Sequence, residues 1–348
     1  MSDLKNVTHA TDSTPEERAQ SDVTAQESTQ KTTQKSVKSK TKPADTKASV
    51  NDQAWLGGLL KSLIVFFSWF SLAWNQRLGR GIGRLLIWWP NSQKKITLKN
   101  IQVAFPTLSA DEQKVLLHKS LLELGKTITE LGPMWCWSGQ KILPLIKEVK
   151  GQALLDDAIA KQKGVIFLGP HIGCWELNAI FLANRYPSTF LYQPPNVSSV
   201  GAFMKSARSR FGGKLVPTDL RGVRTLIKAL KNSEVTGILP DQDPGASGGV
   251  YAPFFGRPAR TMTLVSKLVQ RTECATLFMV MERLPNAEGY CLHLLPAGSD
   301  IGSTDELLAT TALNAGVEAC IALTPEQYLW SYKRFRKPPP GVTDIYKS

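Results

Sequence analysis

A chain of 348 residues, 42% of them hydrophobic, is long enough to bury a substantial core and suggests one large domain with appendages. Its formal net charge of +13 favours an anionic partner: nucleic acid, an acidic membrane surface or a phosphorylated ligand. The cysteine number, 5, is odd, and no pair has CxxC or other metal-like spacing, which speaks against a disulfide framework and for free thiols in a reducing compartment.

Residues 1–52 form a polar tail rich in Ser, Thr, Gln, Lys, Asp and Glu. Such a segment buries too little apolar surface to offset its ordering entropy, so disorder is expected. It has no apolar stretch near its start and does not read as a signal peptide. The composition then changes sharply. Between Trp55 and Trp74 only Lys61 is charged, near one end where it can snorkel. About 20 residues suffice to cross a bilayer as a helix, so 53–76 is expected to be a membrane anchor; a buried core helix or an interfacial helix fits the same run. Trp55, Trp69, Trp74, Trp88 and Trp89 suit an interfacial aromatic belt, and Arg77, Arg80, Arg84, Lys94, Lys95 and Lys99 place the following domain on the cytoplasmic side.

Residues 91–145 read as helical. One helix ends before Pro106. A second starts at Ser109 with Glu112 completing a capping box, and its leucines give it an apolar face. From about residue 150 strands and helices alternate. Strands are expected over 164–169, 188–193, 235–240, 275–282 and 289–296, and helices over 152–161, 175–184, 198–211, 221–231, 260–271 and 304–322. This alternation predicts an α/β fold with a central, mostly parallel sheet flanked by helices. Thr324 and Pro325 are placed to start one more helix, aromatic on one side and basic beside it.

Three clusters carry candidate chemistry. In the first, the apolar run Val165–Leu168 leads into Gly169-Pro170-His171-Ile172-Gly173-Cys174-Trp175-Glu176. Ligands gather at the carboxyl ends of strands in α/β sheets, and a histidine there can remove a proton near neutral pH while a carboxylate orients it. On one regular helix His171 and Glu176 would stand about 140° apart. They can meet only if His171 precedes the helix and Glu176 lies in its first turns. On this motif alone a hydrogen-bonded structural histidine fits equally well. Cys174 reads as a bystander, and His118 and His293 as packed or surface residues.

The second cluster, Asp241-Gln242-Asp243, also follows an apolar strand and is expected at the same sheet edge as His171. Two Asp residues are thin for Mg²⁺, and a strand-capping Asx turn is the competing reading. The third is basic: Arg221, Arg224 and Lys228 share one helix face suited to phosphates, or simply solvated.

Taken in order, these segments resemble the late, secondary acyltransferases of lipid A biosynthesis, within the lysophospholipid acyltransferase-like superfamily. The resemblance spans about 55–340. It rests on Asn100-Ile101 with Phe105-Pro106, the Gly169–Glu176 run, Arg221-Gly222-Val223-Arg224, Pro240–Gly245, Ala252–Gly256 with Thr261, and Pro325–Trp330. Two departures stand out. Tyr332-Lys333-Arg334-Phe335-Arg336 replaces a family pattern that often begins with histidine, and the polar tail lies outside the pattern. The resemblance implies a glycerolipid acyltransferase-like domain over 77–340 with a short tail at 341–348. It implies transfer of a fatty acyl group from acyl carrier protein to the 3-hydroxyl of a hydroxyacyl chain on a lipid A precursor, at the bacterial inner membrane, without cofactor or metal. By matched motif His171 would be the general base and Glu176 its partner. Arg221, Arg224, Asp241, Gln242, Asp243, Lys333 and Arg334 would bind substrate, and Phe254 and Phe255 would help wall the acyl chain. Related acyltransferases with another glycolipid acceptor, and a non-catalytic membrane-tethered lipid-binding protein, are the alternatives; a nucleic-acid partner is disfavoured because no basic-aromatic motif of that type is present.

Overall fold

Among the described residues, four long helices come first. In the computed structural model, which describes residues 46–192 and 198–347, they are α1 (Thr46–Ser68), α2 (Leu72–Trp88), α3 (Ser92–Ala104) and α4 (Ala110–Cys136). The expected tail through residue 45 lies outside the described residues, and its last part is already helical because α1 begins at Thr46.

The anchor expected as one helix over 53–76 is two helices. Ser71 caps α2 by accepting from the Trp74 N–H at 3.4 Å. The buried Asn75 amide stitches the break, donating to the carbonyls of Phe67 and Phe70 at 3.0 Å each. The apolar helical stretch is therefore Gly57–Ser68. Among the described residues, the helix long and apolar enough to cross a membrane is Glu306–Leu323, and one face of it packs into the core through Leu313, Val317 and Ile321.

Close backbone approach lets α1 and α2 seat on α4. A Cβ added at Gly125 of α4 would lie 2.0 Å from the carbonyl oxygen of Gly79 in α2, and one at Gly132 would lie 2.6 Å from that of Ile64 in α1. Only glycine permits these crossings. The capping box expected at the start of α4 is present: Ser109 N–H donates to Glu112 at 2.8 Å and the Ser109 hydroxyl accepts from Glu112 N–H at 3.3 Å.

A short helix α5 (Gly139–Ile142) leads into the α/β domain. It comprises β1 (Ile146–Lys150), α6 (Gln152–Ala160), β2 (Val165–Leu168), α7 (Trp175–Arg185), β3 (Thr189–Tyr192), α8 (Ser198–Ser209), β4 (Lys214–Pro217), α9 (Leu220–Lys231), β5 (Val235–Ile238), β6 (Gly249–Phe254), β7 (Arg257–Met262), α10 (Leu264–Thr272), β8 (Ala275–Arg283), β9 (Tyr290–Pro296) and α11 (Glu306–Leu323). The central sheet runs β1-β9-β8-β2-β5. Strand β2 is parallel to both β5 and β8, and β1 to β9, while β8 and β9 are antiparallel. The sheet is thus mixed but mostly parallel. The parallel pair β3–β4 joins its β5 side through a bridge from Ser188 to Val235.

Strand alternation divides the core in two. Ile166, Leu168, Phe278 and Val280 face α9, α10 and α11. Val165, Phe167, Leu277 and Met279 face α6 and α7. Burial on both faces explains why β2 is apolar throughout.

Two expected helices differ. The start of the predicted helix 260–271 belongs to the antiparallel hairpin β6–β7, which turns at Phe255 (φ 48°) and Gly256 (φ 71°). Alternate burial of Ala259 and Thr261 is a strand period, and α10 starts only at Leu264. After Thr324 there is a single tight turn, Pro325–Gln327. The chain then crosses the site in extended form, pairing Tyr328 with Ile172.

Candidate active site

His171 and Asp241 follow the ends of two neighbouring parallel strands. Leu168 and Ile238 are register partners at the ends of β2 and β5, and the Gly169 N–H donates to the Ile238 carbonyl at 2.9 Å. Each chain then turns out over the sheet edge. The His171 backbone N–H donates to Asp241 Oδ2 at 3.1 Å, and its ring Nδ1 meets Asp241 Oδ1 at 2.8 Å. Asp241 is buried. Burial alone would raise its pKa, but the charge of His171 and the hydrogen bonds it receives hold the carboxyl below the usual aspartate value. An ionised carboxylate only accepts, so Nδ1 donates to it, and in the neutral ring Nε2 bears the lone pair. The Gln242 amide nitrogen lies 3.2 Å from that Nε2, and the Trp175 ring meets the imidazole edge-on with centroids 5.1 Å apart.

The loop bearing His171 is locked by backbone bonds. Gly173 N–H donates to the Gln327 carbonyl at 3.1 Å, Cys174 N–H to that of Met281 at 2.9 Å, and Leu329 N–H to that of His171 at 3.0 Å. Gly173 has φ of 59°, and a Cβ there would lie 2.0 Å from the Met281 carbonyl oxygen. Gln327 fastens its strap by accepting from Arg283 N–H at 2.8 Å and donating to the Arg283 carbonyl at 3.0 Å. Pro325–Trp330 therefore positions the histidine loop, a task its sequence gave no sign of.

Glu176 lies in the first turn of α7, as expected, but it does not orient His171. Its carboxylate accepts from Arg208 NH2 at 2.5 Å and Nε at 3.2 Å, and from the Trp135 indole at 2.9 Å. Burial would raise its pKa; Arg208, through charge and hydrogen bonding, and the Trp135 bond bring it below the usual value. The charge of His171 acts on it more weakly. The carboxylate on the imidazole is Asp241, which the sequence placed among the substrate-binding residues.

Glu176, Arg208 and Trp175 border an apolar cleft enclosing about 660 Å³, open mouth included. Phe167, Ala179, Leu182, Ile238, Leu239 and Met279 line its interior. Phe254 and Phe255, expected to help wall an acyl chain, do not line this cleft and form an aromatic cluster with Phe105, Trp330 and Phe335.

The remaining predicted residues fall in different places. Asp243 accepts from Gly245 N–H at 2.9 Å, an Asx turn, and from Arg336 Nε at 2.9 Å. Arg334 is turned into the protein. It is buried, donating to the Arg260 carbonyl at 2.6 Å, Thr261 at 2.8 Å and Asn314 at 3.2 Å. Lys333 is exposed beside the Tyr346 ring. Arg221 and Arg224 are exposed on the first turns of α9, beyond the carboxyl end of β4, and make no contact with His171. Cys174 is buried and its thiol pKa is pushed far up by desolvation, which suits a packing role. The Glu282, Cys291 and His293 donor atoms lie within 4.8 Å of one another, but there His293 Nε2 already meets Glu282 at 2.7 Å.

Residues 42–337 match the model of the bacterial lipid A biosynthesis acyltransferase family. The chain is 30% identical to the lipid A biosynthesis lauroyltransferase of Escherichia coli (strain K12), over 78% of this chain and 88% of that protein. It is 29% identical to the palmitoleoyltransferase of the same organism, over 77% and 87%, and 23% identical to its myristoyltransferase, over 78% and 82%. With a family match over most of its length, carried on a sheet that sets a histidine and an aspartate side by side, the chain belongs to the bacterial lipid A biosynthesis acyltransferase family.

Proposed function

We propose that this protein transfers a fatty acyl group from the thioester of an acyl carrier protein to the 3-hydroxyl of a hydroxyacyl chain on a lipid A precursor, at the cytoplasmic face of the inner membrane. The observation that carries this reading is the imidazole held by Asp241 on Nδ1 and packed against Trp175, which lines an apolar cleft. His171 Nε2 takes the proton of the acceptor hydroxyl. The oxygen attacks the thioester carbonyl, the C–O bond forms, the C–S bond breaks, and the imidazolium returns the proton to the departing thiolate. Asp241 holds the productive tautomer and stabilises the imidazolium. Glu176 acts one step out: it holds Arg208 at the cleft and is itself held by the Trp135 indole, and its negative charge adds to the field on the imidazolium.

The cleft suits the acyl chain, because burying each methylene is worth about 0.8 kcal/mol and its interior offers few polar groups to leave unpaired. Helices α1 and α2 suit a bilayer surface. They expose Leu59, Leu63, Phe66, Trp69, Trp74 and Trp88, with Arg77, Arg80 and Arg84 alongside, the composition of an interfacial membrane helix. Arg221 and Arg224, exposed on the first turns of α9 beyond β4, suit the acceptor's phosphates.

Mass spectrometry of lipid A from a strain lacking this protein tests the reading. One acyl chain should be missing and should return on complementation with the wild-type protein but not with His171→Ala. An unaltered lipid A in the deletion strain would refute the proposed acceptor.

A further inference from the structure

We propose that Gln242 is a catalytic residue, its side-chain amide supplying the hydrogen bond that stabilises the oxyanion formed when the thioester carbonyl is attacked. This rests on the acyl transfer proposed above.

The tetrahedral intermediate places a negative charge on the former carbonyl oxygen, and such charge requires aimed donors. Backbone N–H groups next to the base commonly provide them, but here they are spent. His171 N–H is held by Asp241. Ile172 N–H goes to the Pro170 carbonyl, Gly173 N–H to Gln327 and Cys174 N–H to Met281. Arg208 is held by Glu176 through Nε and Nη2. The donor in contact with the reacting nitrogen is the Gln242 amide, 3.2 Å from His171 Nε2.

That distance also means Gln242 occupies the place the acceptor hydroxyl must take. Its backbone cannot give way, because both neighbours are pinned. Asp241 is bound to His171. Asp243 is bound to Gly245 and Arg336, and its own N–H donates to the Tyr332 hydroxyl at 3.0 Å. Only the side chain can turn. When the hydroxyl displaces it from Nε2, the carbonyl under attack lies about 3 Å from that hydroxyl, within the arc the amide sweeps. One rotation thus admits the nucleophile and brings a donor to the developing charge. In the free enzyme the same amide covers the lone pair of the base.

Purified wild-type protein, His171→Ala, Gln242→Ala and Gln242→Glu are compared for acyl transfer from an acyl carrier protein thioester to a lipid A precursor. Both Gln242 variants should lose about 10²–10³-fold in kcat, the usual cost of one oxyanion donor, with KM for either substrate changed less than about threefold. A merely structural role would lower the melting temperature or raise KM instead of lowering kcat alone. Wild-type kcat in Gln242→Ala, with His171→Ala inactive, would overturn the role of Gln242 and leave the acyl-transfer reading intact. No transfer by the wild-type protein would overturn both.

Discussion

His171 and Asp241 stand at matched positions beyond two register-paired strand ends, and their side chains meet at 2.8 Å. The parallel pairing of β2 with β5 sets this meeting before any side chain is chosen. It makes Asp241, more than Glu176, the residue that holds the orientation and tautomer of His171.

Asp241→Asn should therefore lower kcat by about 10²–10⁴-fold, since the amide can turn its N–H toward Nδ1 and favour the wrong tautomer. Steady-state kinetics with near-UV circular dichroism separates this from misfolding. The carboxyl also contributes to stability: with its folded pKa below the unfolded value, that contribution is present above the unfolded value and is lost as pH falls through the folded one. The wild type should lose more stability than Asp241→Asn as pH is lowered through that range, measured by denaturant melts.

Glu176→Gln should behave differently. It leaves Arg208 without its ion-pair partner beside a cleft, at a cost of about 1–3 kcal/mol, below that of a fully buried pair because 33% of the Arg208 side chain is exposed. A double-mutant cycle with Arg208→Met reads the coupling. Loss of kcat in Glu176→Gln should be smaller than in Asp241→Asn. The reverse order would return the orienting role to Glu176.

Filling the cleft should shorten the preferred acyl chain. Ala179→Leu or Leu182→Trp places added volume among the lining residues. Competition between donors of different length should shift toward the shorter by a few methylenes, with total turnover on the short donor retained. No change in preference would place the chain elsewhere.

Leu63→Ser with Trp69→Ser removes exposed apolar surface from α1 and its end. Binding to anionic vesicles should weaken at least tenfold while the melting temperature stays within a few degrees, because neither side chain is in the core. Added salt should weaken the wild type too, through screening of Arg77, Arg80 and Arg84.

Much of the α/β domain was legible because its elements carry strong periods. Val165–Leu168 and Val235–Ile238 are short apolar runs ended by Gly-Pro and Leu-Pro, and the capping box at Ser109 announces α4. The departures have local causes. The apolar run from Trp55 to Trp74 conceals a helix break, since Ser71 is one small polar residue among apolar ones and the Asn75 side chain that stitches the break lies just past the run. The turn at Phe255-Gly256 is a hairpin whose second strand carries Pro258 and Arg260, unlike a typical β sequence. In the site, His171 was legible, but its partner was not. Proximity in sequence favoured Glu176, whereas strand register, which depends on pairing across 70 residues, selected Asp241. Arg334 looked like a ligand because it is charged in a basic run, and only its burial against Asn314 and Thr261 reveals a framework role.

The most direct test of the account is the rate of acyl transfer to a lipid A precursor by purified His171→Ala protein, set beside wild type in the same membrane mimic. The account predicts a loss of at least about 10³-fold with precursor binding retained. Transfer at the wild-type rate would contradict it.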